Sequence, residues 1–147
     1  FGARKGLRVL SLAVLLEIVF LILCGTVFLR ETDENVGCNF TPFWSYMMSS
    51  KDLQYSMYME NLMNVLMFIP FGFILGWAFK NLGWKKMIVV ALRFSVTIEV
   101  LQFVFKKGFA EVDDVIHNVL GGIIGYGIYK LMRFGYEKIS KRRVAVL

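Results

Sequence analysis

What constrains this chain most is a set of long stretches almost free of charge. An α-helix rises about 1.5 Å per residue, so about 20 mostly apolar residues cross the ~30 Å hydrocarbon core of a bilayer. Leu7 to Leu29 reaches that length with Arg8 at its edge and Glu17 near its middle. Asn61 to Phe79 carries no charge, and Met87 to Phe105 carries only Arg93 and Glu99. Val115 to Phe134 makes a fourth stretch, with Lys130 and Arg133 near its end, where long basic side chains extend to the interface. With 57% of residues hydrophobic and 19% charged, the composition lies beyond that of a water-soluble domain. The fold expected is an all-α integral membrane protein, one domain over residues 1–147, with spans at 7–29, 61–79, 87–105 and 115–134.

The 17 Lys and Arg residues outnumber the 11 Asp and Glu residues, giving a net charge of +6. In a soluble chain that excess suggests nucleic acid, but its distribution points elsewhere. Arg4, Lys5 and Arg8 precede the first span, Lys80, Lys85 and Lys86 fill the second connection, and Lys130, Arg133, Lys138, Lys141, Arg142 and Arg143 close the chain. With four spans all of these fall on one side. The other side holds Arg30, Lys51, Lys106 and Lys107 against eight acidic residues: Glu31, Asp33, Glu34, Asp52, Glu60, Glu111, Asp113 and Asp114. Basic residues mark the cytoplasmic face, so a multi-pass protein of the cell membrane with both termini cytoplasmic is expected, and no nucleic-acid partner.

The chain starts at Phe1, and its first apolar stretch is longer than the core of a typical cleavable signal. The outer loop, 30–60, is the one long connection. Within it Thr41-Pro42 followed by Phe43, Trp44, Tyr46, Met47 and Met48 predicts a short interfacial helix, acting as a tether or as a lid. Cys24 and Cys38 lie at different depths, which favours two free thiols. No metal-type Cys/His spacing, Gly-rich phosphate loop or nucleophile elbow occurs, so no cofactor follows from the motifs.

Chemistry must come from the polar residues the spans tolerate, since each is costly in hydrocarbon and needs a partner or a purpose. Ser95, Glu99, Gln102 and Lys106 follow one another at helical spacing on one stripe of the third span. Glu60, Asn61 and Asn64 share a face of the second with Phe68 and Phe71. On the fourth, Asp114, Asn118, Gly121 and Gly125 make another stripe, flanked by Asp113 and His117. All three stripes reach one outer layer, where a cavity open to the outer leaflet is expected. The alternative is that the same groups only hold the helices together by hydrogen bonds. Gly121 and Gly125 predict a close-packing seam. Glu17 and Arg93 lie at similar depth and can pair, or Arg93 can extend to the interface. His117 is a satisfied polar residue near a helix start or a general base.

Three ordered segments, Asn61 to Leu75, Ser95 to Gln102 and Asp113 to Tyr126, together with Asn39-Phe-Thr-Pro-Phe43 upstream, resemble the VanZ-like family. The resemblance carries the family's motif residues onto Pro42, Asn64, Pro70, Gly72, Ser95, Glu99, Gln102, Asp113, Asp114, Asn118, Gly121 and Gly125. Pro70 within the second span removes a backbone hydrogen bond and can kink it. Where family members often carry an Arg shortly before the Asp-Asp pair, this chain has Lys106 and Lys107, which keep the charge without the planar fork. The resemblance implies a bacterial envelope protein of the type associated with resistance to teicoplanin-type glycopeptide antibiotics. Its ligand-binding candidates are Asn64, Ser95, Glu99, Gln102, Asp113, Asp114 and Asn118, and its expected partner is a lipid or lipid-linked cell-wall intermediate. A membrane-embedded enzyme acting on such a molecule is the alternative, with Glu99, His117 or Asp114 in catalysis and Asp113 with Asp114 on a divalent ion. A structural scaffold is the third.

Overall fold

The computed structural model describes residues 2–34, 36–47 and 51–144, leaving aside the side chains of 2–4, 52 and 141–144. Met48, counted in the expected interfacial helix, and the side chains of Arg4, Lys141, Arg142 and Arg143 lie outside what is described.

Four helices make the fold: α1 (Gly2–Leu23), α2 (Lys51–Ala78), α3 (Trp84–Val104) and α4 (Val112–Val144). A five-residue π-helical segment, Cys24–Phe28, extends α1, closed by Leu29 N donating to the Cys24 carbonyl at 2.8 Å. Two dipeptides, β1 (Cys38–Asn39) and β2 (Ala110–Glu111), pair in parallel, with Cys38 opposite Ala110 and Asn39 opposite Glu111. The protein thus has a loop end, holding residues 29–34, 36–47 and 105–111, and a basic end at the α2–α3 turn.

Three helical stretches are long and apolar enough to cross a membrane: Lys5–Phe28, Leu53–Ala78 and Trp84–Val104. In the first, only 11% of the most apolar window is buried, with Val9, Leu16 and Phe20 facing outward. Apolar side chains turned out in such number need lipid rather than water around them. The fourth span expected from sequence does not stand with these three. α4 is the longest helix, 33 residues; Asp113, Asp114, His117, Lys130 and Arg133 thin out its hydrophobicity, and it packs along α2 and α3.

That packing rests on glycine. A Cβ placed on Gly121 would stand 2.2 Å from the Val65 carbonyl oxygen, one on Gly125 1.9 Å from that of Ile69, and one on Gly72 2.0 Å from that of Gly122. The α2 and α4 backbones touch along two turns, the seam expected at Gly121 and Gly125. α2 runs through Pro70 as one helix. Beside the seam, Phe68, Phe71 and Phe94 cluster with ring centroids 5.0–5.6 Å apart, and Met87, Ala91, Ile98 and Tyr126 complete the core. Glu17 and Arg93 are both exposed on their helices and are not joined. Cys24 and Cys38 are free thiols.

Candidate functional site

The loop end is fastened to α4 by one carboxylate. Asp113 is fully buried in the first turn of α4 and accepts three hydrogen bonds from the loop. Phe43 N donates to Oδ1, and Ser45 donates to Oδ2 from its backbone N at 3.1 Å and from Oγ at 2.7 Å. These donors stand at the start of a single 3₁₀ turn, Trp44–Met47. The orphan N–H groups of that turn are capped across the fold rather than by a neighbour in sequence. The expected interfacial helix is therefore one turn, with Ser45 turned inward and fully buried while Phe43, Tyr46 and Met47 stay exposed. Phe43 takes φ 61° there, a left-handed conformation that the clamp holds.

Two further ties flank the clamp. Asn61 Nδ2, from α2, donates to Ser45 Oγ at 3.0 Å. His117 Nδ1 lies 2.6 Å from the Asp113 carbonyl oxygen, which can only accept, so Nδ1 carries the proton. The other nitrogen, Nε2, lies 2.8 Å from Tyr46 Oη. Both ring nitrogens are engaged, and His117 is placed as a satisfied polar residue of the loop anchor.

Below this clamp lies the acidic and carboxamide layer. Glu99, on α3, accepts a hydrogen bond from Glu111 N at 2.9 Å and is buried. Trp44 Nε1 donates to Glu111 Oε2 at 3.0 Å. Burial pushes the Glu111 carboxyl above its usual range; Glu60 and Asp113 add to that, while the Trp44 bond and Arg30 oppose it. Glu99 and Asp114 are close enough to interact electrostatically, and both feel Arg30. Arg30 packs over Gly108, where a Cβ would come within 3.3 Å of Nη2 and where φ is +128°. The positive charge beside the acidic groups thus comes from Arg30. Lys107 instead spends its Nζ on the Arg30 carbonyl at 2.7 Å.

The carboxamides form the floor. Asn118 Nδ2 donates to Ser95 Oγ at 2.9 Å, joining α4 to α3. Gln102 Nε2 donates to the Thr26 carbonyl in the π-helical segment at 3.1 Å, joining α3 to α1. Among the described residues, two buried side-chain polar atoms have no partner: Gln102 Oε1 and Asn118 Oδ1. An unmet buried acceptor costs roughly 1–3 kcal/mol, so two in one layer is a notable expense. Asn64 is half-buried.

Two cavities stand out among the described residues, of about 1000 and 640 Å³, and both lie at the basic end with no residue of the layer in their walls. Asp113 and Asp114 also part company: both oxygens of Asp113 accept hydrogen bonds from the loop. Among the described residues, no group of three or more His, Cys, Asp and Glu side chains is arranged to hold a metal ion. Ser45, Asn61, Glu111, Arg30 and Thr26 are the participants that spacing within helices did not single out for the site. Of these only Asn61 sat on a polar stripe.

Three lipid-length apolar helices, a glycine seam and a loop locked over buried acidic and amide groups define a helical membrane protein with its polar chemistry at one end. Its lineage is equally clear. The chain belongs to the VanZ/LLP1 family, whose model matches residues 9–133. It is 32% identical over 127 residues to Protein VanZ of Enterococcus faecium, an alignment covering 86% of this chain and 73% of that protein. No solved structure matches it.

Proposed function

We propose that this chain is a bacterial cell-membrane protein that contributes to resistance against teicoplanin-type glycopeptides. In this reading the loop end faces outward, both termini are cytoplasmic, and the acidic and carboxamide layer binds the headgroup of a lipid or of a lipid-linked cell-wall intermediate. Kinship with a protein named VanZ supports the resistance role. The observation that carries the binding role is the pair of unpartnered acceptors, Gln102 Oε1 and Asn118 Oδ1. Gln102 follows Glu99 by three residues and Asn118 follows Asp114 by four, so each pair shares one helix face with Cβ atoms about 5–6 Å apart. Acceptors in excess, with Arg30 beside them, suit a headgroup rich in hydroxyl or amine donors that also bears an anionic phosphate.

The test is the teicoplanin susceptibility of cells making the wild type, Glu99→Gln or Asp114→Asn at equal abundance. Each substitution keeps the shape and turns a carboxyl group into a carboxamide, and each should cost several-fold in the protective concentration. Full protection by both variants would detach the layer from the function.

A further inference from the structure

The basic end carries a cleft that the loop-end layer does not use. It opens between α1, the last turn of α2 and α4, with a volume of about 1000 Å³, at the top of the ~300–1,000 Å³ usual for ligand pockets. Its wall is aromatic. Phe73 meets Trp77 at 6.0 Å and Tyr129 edge-on at 6.2 Å between ring centroids, and Tyr136 extends the surface outward. Trp and Tyr rings at the end of apolar helices sit where acyl chains give way to headgroups.

Its rim is cationic. Arg8 from α1, Lys80 from the α2–α3 turn and Lys86 from α3 all border the opening and are exposed. Arg133 borders it too, but its guanidinium is committed, Nε to Glu137 at 2.8 Å and Nη1 to the Lys80 carbonyl at 2.7 Å. Among the described residues no carboxylate meets the charged heads of Arg8, Lys80 and Lys86. Three unneutralised cations over an aromatic cleft match an amphiphile with an anionic head and a hydrocarbon tail, and basic pockets between membrane helices hold such headgroups. We infer that this cleft binds an anionic glycerophospholipid of the leaflet at the basic end. The phosphate lies among Arg8, Lys80 and Lys86, and an acyl chain lies along Phe73, Trp77 and Tyr129. This site is independent of the loop-end layer and stands whether or not that layer binds a ligand.

The test uses the full chain purified in a non-ionic detergent, titrated with phosphatidylglycerol or phosphatidylcholine of identical acyl chains, with bound lipid counted by native mass spectrometry. The wild type should retain phosphatidylglycerol at a concentration at least ~10-fold lower than phosphatidylcholine. Combined Arg8→Gln, Lys80→Gln and Lys86→Gln should abolish that preference, whereas Lys51→Gln, at the far end of α2, should keep it. Should the triple variant lose its helical circular dichroism, Lys80→Gln and Lys86→Gln alone, each on an exposed residue, should lower the preference in smaller steps. Equal retention of the two lipids by the wild type, or an undiminished preference in the folded charge variants, would overturn the inference.

Discussion

Replacing Asp113 with Asn tests the loop clamp with almost no change of shape. The carboxylate accepts from Phe43 N on one oxygen and from Ser45 N and Oγ on the other. An amide has one oxygen to offer. With that oxygen toward Ser45, its NH₂ faces the Phe43 N–H, donor against donor. One charge-assisted bond, worth roughly 1.5–3 kcal/mol, is then lost, and the other two fall by about half as they become neutral. The sum is at least about 3 kcal/mol, which at 1.4 kcal/mol per tenfold raises the open population of the loop by about 100-fold or more. Hydrogen exchange in a peptide covering residues 43–47 reads this directly and should accelerate by that factor. Asp114→Asn, one residue on, should leave the same peptide at the wild-type rate, since among the described residues no loop donor reaches Asp114. Exchange in Asp113→Asn within about threefold of wild type, or equal loosening by Asp114→Asn, would refute the clamp.

Two further outcomes follow from the packing and from the charge at the loop end. Gly125→Ala brings a Cβ to 1.9 Å from the Ile69 carbonyl and should lower stability by about 1–3 kcal/mol, measured as the thermal midpoint in detergent. Gly135→Ala, on the same helix with nothing within 4 Å, should instead leave stability unchanged or raise it by up to ~1 kcal/mol. Glu111 has its folded-state pKa raised, mainly by burial, so the folded chain holds that proton more tightly than the unfolded one. Its contribution is fully present below the ordinary carboxylate pKa and is lost as pH rises through the raised value. The thermal midpoint should therefore fall less between about pH 4 and about pH 7 in Glu111→Gln than in the wild type, and an identical fall in both would count against it.

Much of the polar layer is legible from spacing because polar residues are so few in these helices. Ser95, Glu99 and Gln102 stand out against an apolar background, and the 3.6-residue period alone puts them on one face. The same holds for Asp114 and Asn118, which the fold brings to Ser95 and Glu99 across the α3–α4 contact. The glycine seam was legible for the same reason, since small residues four apart have one common use between membrane helices. The clamp was not. Its donors are mostly backbone N–H groups, which have no sequence signature, and its partners lie about 70 residues apart, Phe43 and Ser45 against Asp113. Nor was the role of Arg30, because its placement depends on the left-handed turn at Gly108 and the paired segments around it. The cleft at the basic end was equally hidden: its lining comes from four helices and a turn, and no single stripe contains it.

The division of labour between the two adjacent aspartates has a consequence for recognition. Asp113 is balanced within the fold by three donors, so its charge is spent on holding the loop. Around its neighbour the carboxyl groups of Glu60, Glu99, Glu111 and Asp114 lie close to one another, and the guanidinium of Arg30 offsets those of Glu99, Glu111 and Asp114. A loop fixed by Asp113 keeps Glu111 and Trp44 in place, and with them the geometry of that acidic group. Acceptors held still before a ligand arrives lose little entropy on binding it, which under the proposed function would let a small layer of buried groups discriminate among headgroups. In the proposed function, loosening the clamp with Asp113→Asn should therefore weaken protection through the loop. It should do so in proportion to the exchange rate of residues 43–47, and protection that stays full while that exchange accelerates would separate the loop from recognition.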